Sequence, residues 1–187
     1  MFFQKEGKKV MKIVVGLGNP GEKYNKTRHN VGWLFLDYLS EVYGIEVQKN
    51  NCDALVGEKN IDGEKIIFAK PMTFMNLSGN AVQKLKNWYK VEDKDIMILF
   101  DDIDIPFGTF RYREKGSGGS HNGMKDVVQK LGTQEIQRIR VGLGGLKHEK
   151  QDMVDFVLQR FSKEELAKLE EVFAEASKQV DEFIKSK

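Results

Sequence analysis

Met11 to Leu17 is an apolar, β-branched run ending among glycines, the pattern of a buried strand. From Val31 the apolar positions Leu34, Phe35, Tyr38, Leu39 and Val42 recur at helical spacing, and Gly44 stands where a left-handed glycine closes a helix. Glu64 to Lys70 reads as a strand, and Ile61-Asp62-Gly63 before it carries the Asp-Gly signal of a hairpin turn. Glu46 to Asn60 has no decisive period. Ala81, Val82, Leu85, Trp88 and Tyr89 mark a second amphipathic helix, entered from the loop Pro71 to Gly79. Asp95 to Phe100 is nearly continuously apolar, as expected of a strand covered on both faces, and Asp101, Asp102 and Asp104 are expected to emerge at its end.

Gly108 to Glu114 alternates, with Arg111 and Arg113 on one face, and a glycine-serine loop follows it. Met124, Val127, Val128 and Leu131 give a third helix, stopped at Gly132, and Ile136 to Leu143 is the last strand. In the C-terminal helix Ser162 and Glu165 form a capping-box pair and Phe161 can staple onto Leu166. Its apolar face runs Leu166, Leu169, Phe173, Ala176, Val180 and Ile184. Trp33, Trp88 and the methionines are assigned to the core.

Strands interleaved with helices and hairpin signals indicate an α/β fold: a single domain over residues 11–187, with a mixed twisted sheet flanked by helices. Residues 1–10, rich in lysine and carrying only a short Phe2-Phe3 pair, read as a disordered extension and lack the apolar core of an export signal. At 187 residues the chain can bury a core without disulfides or structural metal, and its single cysteine, Cys52, forms no internal disulfide. No apolar run approaches the roughly 20 residues of a membrane-spanning helix. The expectation is a cytoplasmic protein that does not engage membranes. With 30 basic against 28 acidic side chains the net charge is only +2, so any nucleic-acid binding must use a local patch.

A proton acceptor working near neutral pH must come from three histidines, His29, His121 and His148. His29 follows the glycine run Gly16-Leu17-Gly18-Asn19-Pro20-Gly21. That run matches the dinucleotide-binding fingerprint literally, but Glu22 to Arg28 has no helical periodicity to aim amides at a pyrophosphate. The cluster Gly116-Ser117-Gly118-Gly119-Ser120 does not fit a serine nucleophile elbow. The acids at 101–104 lack calcium-loop spacing, and one cysteine excludes a thiolate zinc cluster, leaving magnesium as the only metal to consider.

There remains a constellation of Asn19, His29, Asn76, Asp101 and Asn122 at loop and strand termini, where α/β sheets hold their ligands. Each asparagine alone reads first as a turn or cap residue, whereas His29 alone is equally a capping or packing histidine. Arg111 with Arg113, and Arg138 with Arg140, are spaced to share a sheet face, which is ordinarily a wet face. Arg113 and Lys115 nonetheless lead into glycines 116, 118 and 119, whose amides can approach a phosphate.

Val15-Gly16-Leu17-Gly18-Asn19-Pro20-Gly21, Tyr24, Thr27-Arg28-His29-Asn30-Val31-Gly32, Lys70-Pro71-Met72-Thr73-Phe74-Met75-Asn76-Leu77-Ser78-Gly79, Asp101-Asp102-Ile103-Asp104 and His121-Asn122-Gly123 occur in that order. With these motifs the chain resembles bacterial peptidyl-tRNA hydrolases from about Lys12 to the C-terminal helix. The resemblance implies a peptidyl-tRNA hydrolase-like fold and a monomeric esterase without cofactor or metal. Such an enzyme cuts the ester between a peptide's C-terminal carbonyl and the tRNA ribose.

It further implies His29 as general base, Asp101 orienting it, and water as nucleophile. Asn19 and Asn76 would hold the peptide and the water, and Asn122 would position water or the oxyanion. Tyr24, Phe74 and Met75 would flank the cleft. Arg113 and Arg140 would clamp the tRNA 5′-phosphate beside the acceptor stem. Ser120 stands where glycine is expected. The alternative is a non-catalytic RNA-binding protein on the same fold.

Overall fold

The computed structural model describes residues 10–187; the expected extension therefore falls, but for Val10, outside the described residues. One seven-stranded sheet organises them: β1 (Met11–Gly16), β2 (Lys49–Asn51), β3 (Ala54–Ile61), β4 (Glu64–Pro71), β5 (Ile96–Pro106), β6 (Phe110–Arg113) and β7 (Gln137–Gly144). Its spatial order is β2-β3-β4-β1-β5-β7-β6. The four central strands are parallel, while β2, β3 and β6 join antiparallel at the two sides. The helices are α1 (Val31–Tyr43), α2 (Ser78–Tyr89), α3 (Asn122–Leu131), α4 (Met153–Val157) and α5 (Lys163–Lys185). No helix among them is long and apolar enough to cross a membrane.

The apolar runs sort by period two onto the two sheet faces. Val14, Ile66, Phe68, Met97 and Leu99 meet α1 and α5, and Ile13, Val15, Ile67, Ile98 and Phe100 meet α2 and α3. The α1 and α5 layers lock through Phe35 and Phe173, whose rings stack at 4.8 Å. The capping box of α5 forms as its sequence indicates, Ser162 accepting from the Glu165 amide and Glu165 from the Ser162 amide; a cap of this kind contributes about 1 kcal/mol.

From β1 the chain turns one way, through α1 and the β2–β3 hairpin, to β4. From β4 it crosses back over β1, through α2, to β5. The loops after β1 and β4 thus part at the carboxyl end of β1, the place where open α/β sheets open a crevice. Gly16 and Gly32 permit the tight join there, each lying where an added methyl group would meet backbone. A methyl group on Gly32 at the start of α1 would lie 2.6 Å from the backbone nitrogen and oxygen of Leu17, and closer still to the Leu99 carbonyl. Gly32→Ala is therefore expected to lower stability by about 1–3 kcal/mol, read as a fall in denaturation midpoint; an unchanged midpoint would show that the junction yields.

Several expectations need correction. β5 does not stop at Phe100 but runs through the acids to Pro106, pairing with β7 past a register irregularity. The ambiguous segment holds β2 and most of β3, joined by Cys52-Asp53, both in the left-handed region at φ 57° and 55°. That turn has the geometry of Asp62-Gly63 (φ 50° and 82°) without its glycine, so no sequence signal marked it. Trp88 is exposed because Ala81, Val82, Leu85 and Tyr89 already fill the inward face of α2. Met72 and Met153 are also exposed, on a loop and on α4. The glycine run leads into a single 3₁₀ turn, Glu22–Tyr24, rather than a helix, consistent with setting aside dinucleotide binding.

Candidate active site

β1 pairs with β5 only as far as Leu99. Beyond that point one edge of β5 is uncovered, and loops from both faces of the sheet can reach it. Asp101 sits there, 4 % exposed. From the α1 side comes His29, in the 3₁₀ turn Arg28–Asn30, with Nδ1 3.0 and 3.1 Å from the two carboxylate oxygens of Asp101. From the α3 side comes His121, with Nε2 2.9 Å from Oδ1 of the same carboxylate. The imidazoles lie side by side, ring centres 4.7 Å apart, and Phe100 packs against His121 at 4.9 Å.

The partners assign the tautomers. His121 caps α3 by accepting the Met124 amide at Nδ1, so its Nε2 must carry the proton that meets Asp101. His29 likewise donates from Nδ1, which leaves its Nε2 as an unprotonated acceptor with no protein partner among the described residues. Burial disfavours the charged form of each group in the pair, but mutual attraction overrides it. The Asp101 charge and hydrogen bond raise the His29 pKa above its ordinary value, while His29 and His121 hold the Asp101 carboxyl well below the usual carboxylate range. Asp101 stays ionised, and His29 is a stronger base than a free imidazole.

His29, Asp101, His121, Asn122 and Ser120 line one side of a cavity of about 130 Å³. Ile103 and the apolar Met153, Val154 and Val157 of α4 complete its lining. Ser120 needs no glycine, because Gly119, at φ 57°, makes the left-handed turn.

Asn19, 7 % exposed, is committed to structure on three sides. Its amide donates to Asn30 Oδ1 at 2.8 Å, its carbonyl accepts from Asn30 Nδ2 at 3.0 Å, and its Oδ1 accepts the Met75 amide at 2.8 Å. Only its side-chain NH₂ is left for a ligand, so it splices the β1 loop to the β4 loop beneath the crevice. Met75 does not flank the cleft: its side chain is buried in the α2–α3 core, against Gly123. Asn76 and Phe74 stand exposed on that loop, and Tyr24 lies half-buried beneath the Lys23 ammonium; none of the three lines the cavity at His29.

The sequence offers His121 only as one of three candidate bases, in a visible His-Asn-Gly context, and does not foretell its bond to Asp101. Nor does it foretell the bonds of Asn30, the neighbour of His29, or the α4 wall. A five-residue helix is too short to show a period, and only the cap Asp152, accepting from Val154 and Asp155, signals it.

The arginines form a second feature. Register places Arg111 opposite Arg140 and Arg113 opposite Arg138, so all four share the face of the sheet that α2 and α3 cover farther in. Arg138 is not on a wet face: it is 1 % exposed and donates to the carbonyls of Ile136, Ser117 and Gln134, pinning the glycine loop. Burial, aided by Arg140, pushes its pKa down to about 10. Arg113, Lys115, Arg140 and the loop 116–119 surround a cavity of about 270 Å³. Arg140 is aimed by Asp102, whose Oδ2 accepts from it at 3.0 Å. Adjacent strand residues face opposite ways, so Asp101 serves the histidines and Asp102 the arginine patch.

His29, Asp101 and His121 are also the group of described residues whose donor atoms, within 4.8 Å of one another, could share a cation. As they stand, each imidazole N–H is committed to the carboxylate.

Comparison with known proteins agrees over nearly the whole chain. The family model described as peptidyl-tRNA hydrolase matches residues 13–187. Peptidyl-tRNA hydrolase of Alkaliphilus oremlandii is 49 % identical, covering 94 % of each chain, and that of Fusobacterium nucleatum is 47 % identical, covering 93 % of this chain and 90 % of its own. The crystal structure of peptidyl-tRNA hydrolase from Acinetobacter baumannii superposes with a TM-score of 0.83 at 30 % identity, covering 95 % of each chain.

Proposed function

The chain belongs to the peptidyl-tRNA hydrolase family, and from that premise we propose that His29 is the base with which it hydrolyses the ester of peptidyl-tRNA. The observation that carries this reading is the one buried carboxylate that takes an N–H from each of two histidines and leaves His29 Nε2 without a partner among the described residues, beside a cavity. Water bound at Nε2 gives up a proton as its oxygen attacks the ester carbonyl. Asp101 stabilises the imidazolium that results, and the proton then passes to the departing ribose oxygen. Asn122, exposed at the start of α3, is suited to donate to the oxyanion without titrating. The Asn19 amide, Asn76, Phe74 and Tyr24 form the outer crevice for the peptide, with Met75 supporting them from below.

The tRNA end engages the arginine patch, with Arg113 and Arg140 on the 5′-phosphate and the acceptor stem alongside. We assign a monomer, since one chain carries both the base and the anion patch, and a cytoplasmic place of action. A non-catalytic RNA-binding role is not favoured, because it has no use for a carboxylate shared by two imidazoles.

The test is hydrolysis of an N-acetylated aminoacyl-tRNA in excess chelator: release of free tRNA is expected, and its absence would contradict the reading. In the same assay Arg113→Ala is expected to raise KM about tenfold and to reduce the salt dependence of binding by about one phosphate contact. The effect should shrink on substrate stripped of its 5′-phosphate. Equal effects on both substrates would remove Arg113 from the clamp.

A further inference from the structure

The residue before His29 is an arginine, yet it is only 8 % exposed. Its Nη1 donates to Glu165 Oε2 at 3.0 Å, and its guanidinium carbon lies 4.9 Å from the ring centre of Phe156 and 5.4 Å from that of Phe161. The buried Nε finds no acceptor among the described residues, and one ion pair and two aromatic faces hold the group. The backbone is sewn along the same line. The Arg28 amide donates to the Gln159 carbonyl at 2.9 Å, the Phe161 amide to the Lys26 carbonyl at 2.9 Å, and Thr27 bridges to Arg160. The turn that carries His29 is thereby joined to the segment between α4 and α5.

That segment fixes the far wall of the cavity. With five residues, α4 is too short to hold itself as a helix. Its one buried side chain is Phe156, on which the Arg28 guanidinium lies. Met153 and Val154 are 38 % and 61 % exposed and, with Val157, line the cavity that His29 borders. The separation between the base and this apolar wall is therefore set by the Arg28 guanidinium on Phe156 together with the backbone bonds that join residues 26–28 to 159–161.

We propose that Arg28 is a positioning residue that holds the apolar face of α4 at a fixed distance from His29, so that the peptide residue next to the ester packs between them. This rests on reading His29 as the base. Lysine at 28 keeps the charge for Glu165 but lacks the planar group that lies on two rings. Arg28→Lys should therefore loosen the wall while retaining the fold.

The test compares N-acetyl-phenylalanyl-tRNA with N-acetyl-glycyl-tRNA as substrates of Arg28→Lys. KM for the phenylalanyl substrate is expected to rise about tenfold and that for the glycyl substrate much less, with the pH midpoint of the acid limb unchanged. Glu165→Gln, which preserves the capping box because glutamine also serves at that position, should shift the two substrates in the same order by a smaller factor. Equal losses on both substrates, or a loss confined to kcat, would overturn the proposal. A moved midpoint would also overturn it, by showing that Arg28 acts on the titration of His29. If His29 is not the base, His29→Ala retains turnover whatever this ratio shows, so the two failures are separable.

Discussion

Alanine at position 29 is expected to lower single-turnover hydrolysis of peptidyl-tRNA at neutral pH by about 10²–10⁴-fold, the range a positioned general base supplies. tRNA binding should hardly change. The imidazole makes no contact with the arginine patch, and Asp101 keeps the His121 N–H when His29 is removed. The His29 side chain is 14 % exposed at a cavity, so water can enter the space and solvate the free carboxylate oxygen. The measurement pairs rapid-quench hydrolysis with an equilibrium titration of deacylated tRNA. A rate within a few-fold of the parent would place the base elsewhere.

The second large effect is expected from Asp101→Asn, a loss of about 10–10³-fold in kcat. The carboxylate accepts from two N–H donors. Oδ1 lies within reach of both rings, but an amide with its oxygen there sets its NH₂ at the Oδ2 position, 3.0 Å from the protonated His29 Nδ1, and the opposite flip sets the NH₂ against the His121 N–H. His121 cannot turn its proton away without releasing the Met124 amide that caps α3. The His29 tautomer is therefore the one that gives way: its Nδ1 becomes the acceptor and the proton moves to Nε2, which blocks the base.

The same pair ties stability to pH in the opposite sense to activity. The His29 pKa is raised in the fold, so its contribution is complete below its ordinary value of 6.5 and is lost as pH rises through the folded value. The Asp101 pKa is depressed, so its contribution is present above its ordinary value of 3.8 and is lost as pH falls toward the folded value. The interaction is strongest between the two, where His29 is protonated and idle as a base. Asp101→Asn should therefore lose more stability in that window than near pH 8, a difference readable in denaturation midpoints.

Much of this molecule is legible in the sequence. The buried strands β1, β4 and β5 declared themselves as apolar runs, and α1 and α5 by period and caps, because burial on two faces and helix ends each leave a local signature. The Asp-Gly hairpin was readable for the same reason. Cys52-Asp53 was not, since its positive φ values are imposed by strand pairing and not invited by glycine. His29 and Asp101 were nominated by position and by family likeness. That His121 completes the pair depends on β5 outrunning β1, a matter of register that no local pattern encodes. Arg138 and Arg140 look alike in sequence. One is buried as a brace for the glycine loop and the other is aimed by Asp102, because Arg138 lies beside that loop while Arg140, opposite Phe100, shares its sheet face with Asp102 two residues farther along β5.

The most direct test is the pH dependence of kcat/KM in the parent enzyme beside Asp101→Asn. Burial alone would lower the His29 pKa, and Asp101 is what raises it. The acid limb should therefore have its midpoint above 6.5 in the parent and below 6.5 in the variant. An identical limb in both proteins would show that the titrating base is not the imidazole held by Asp101.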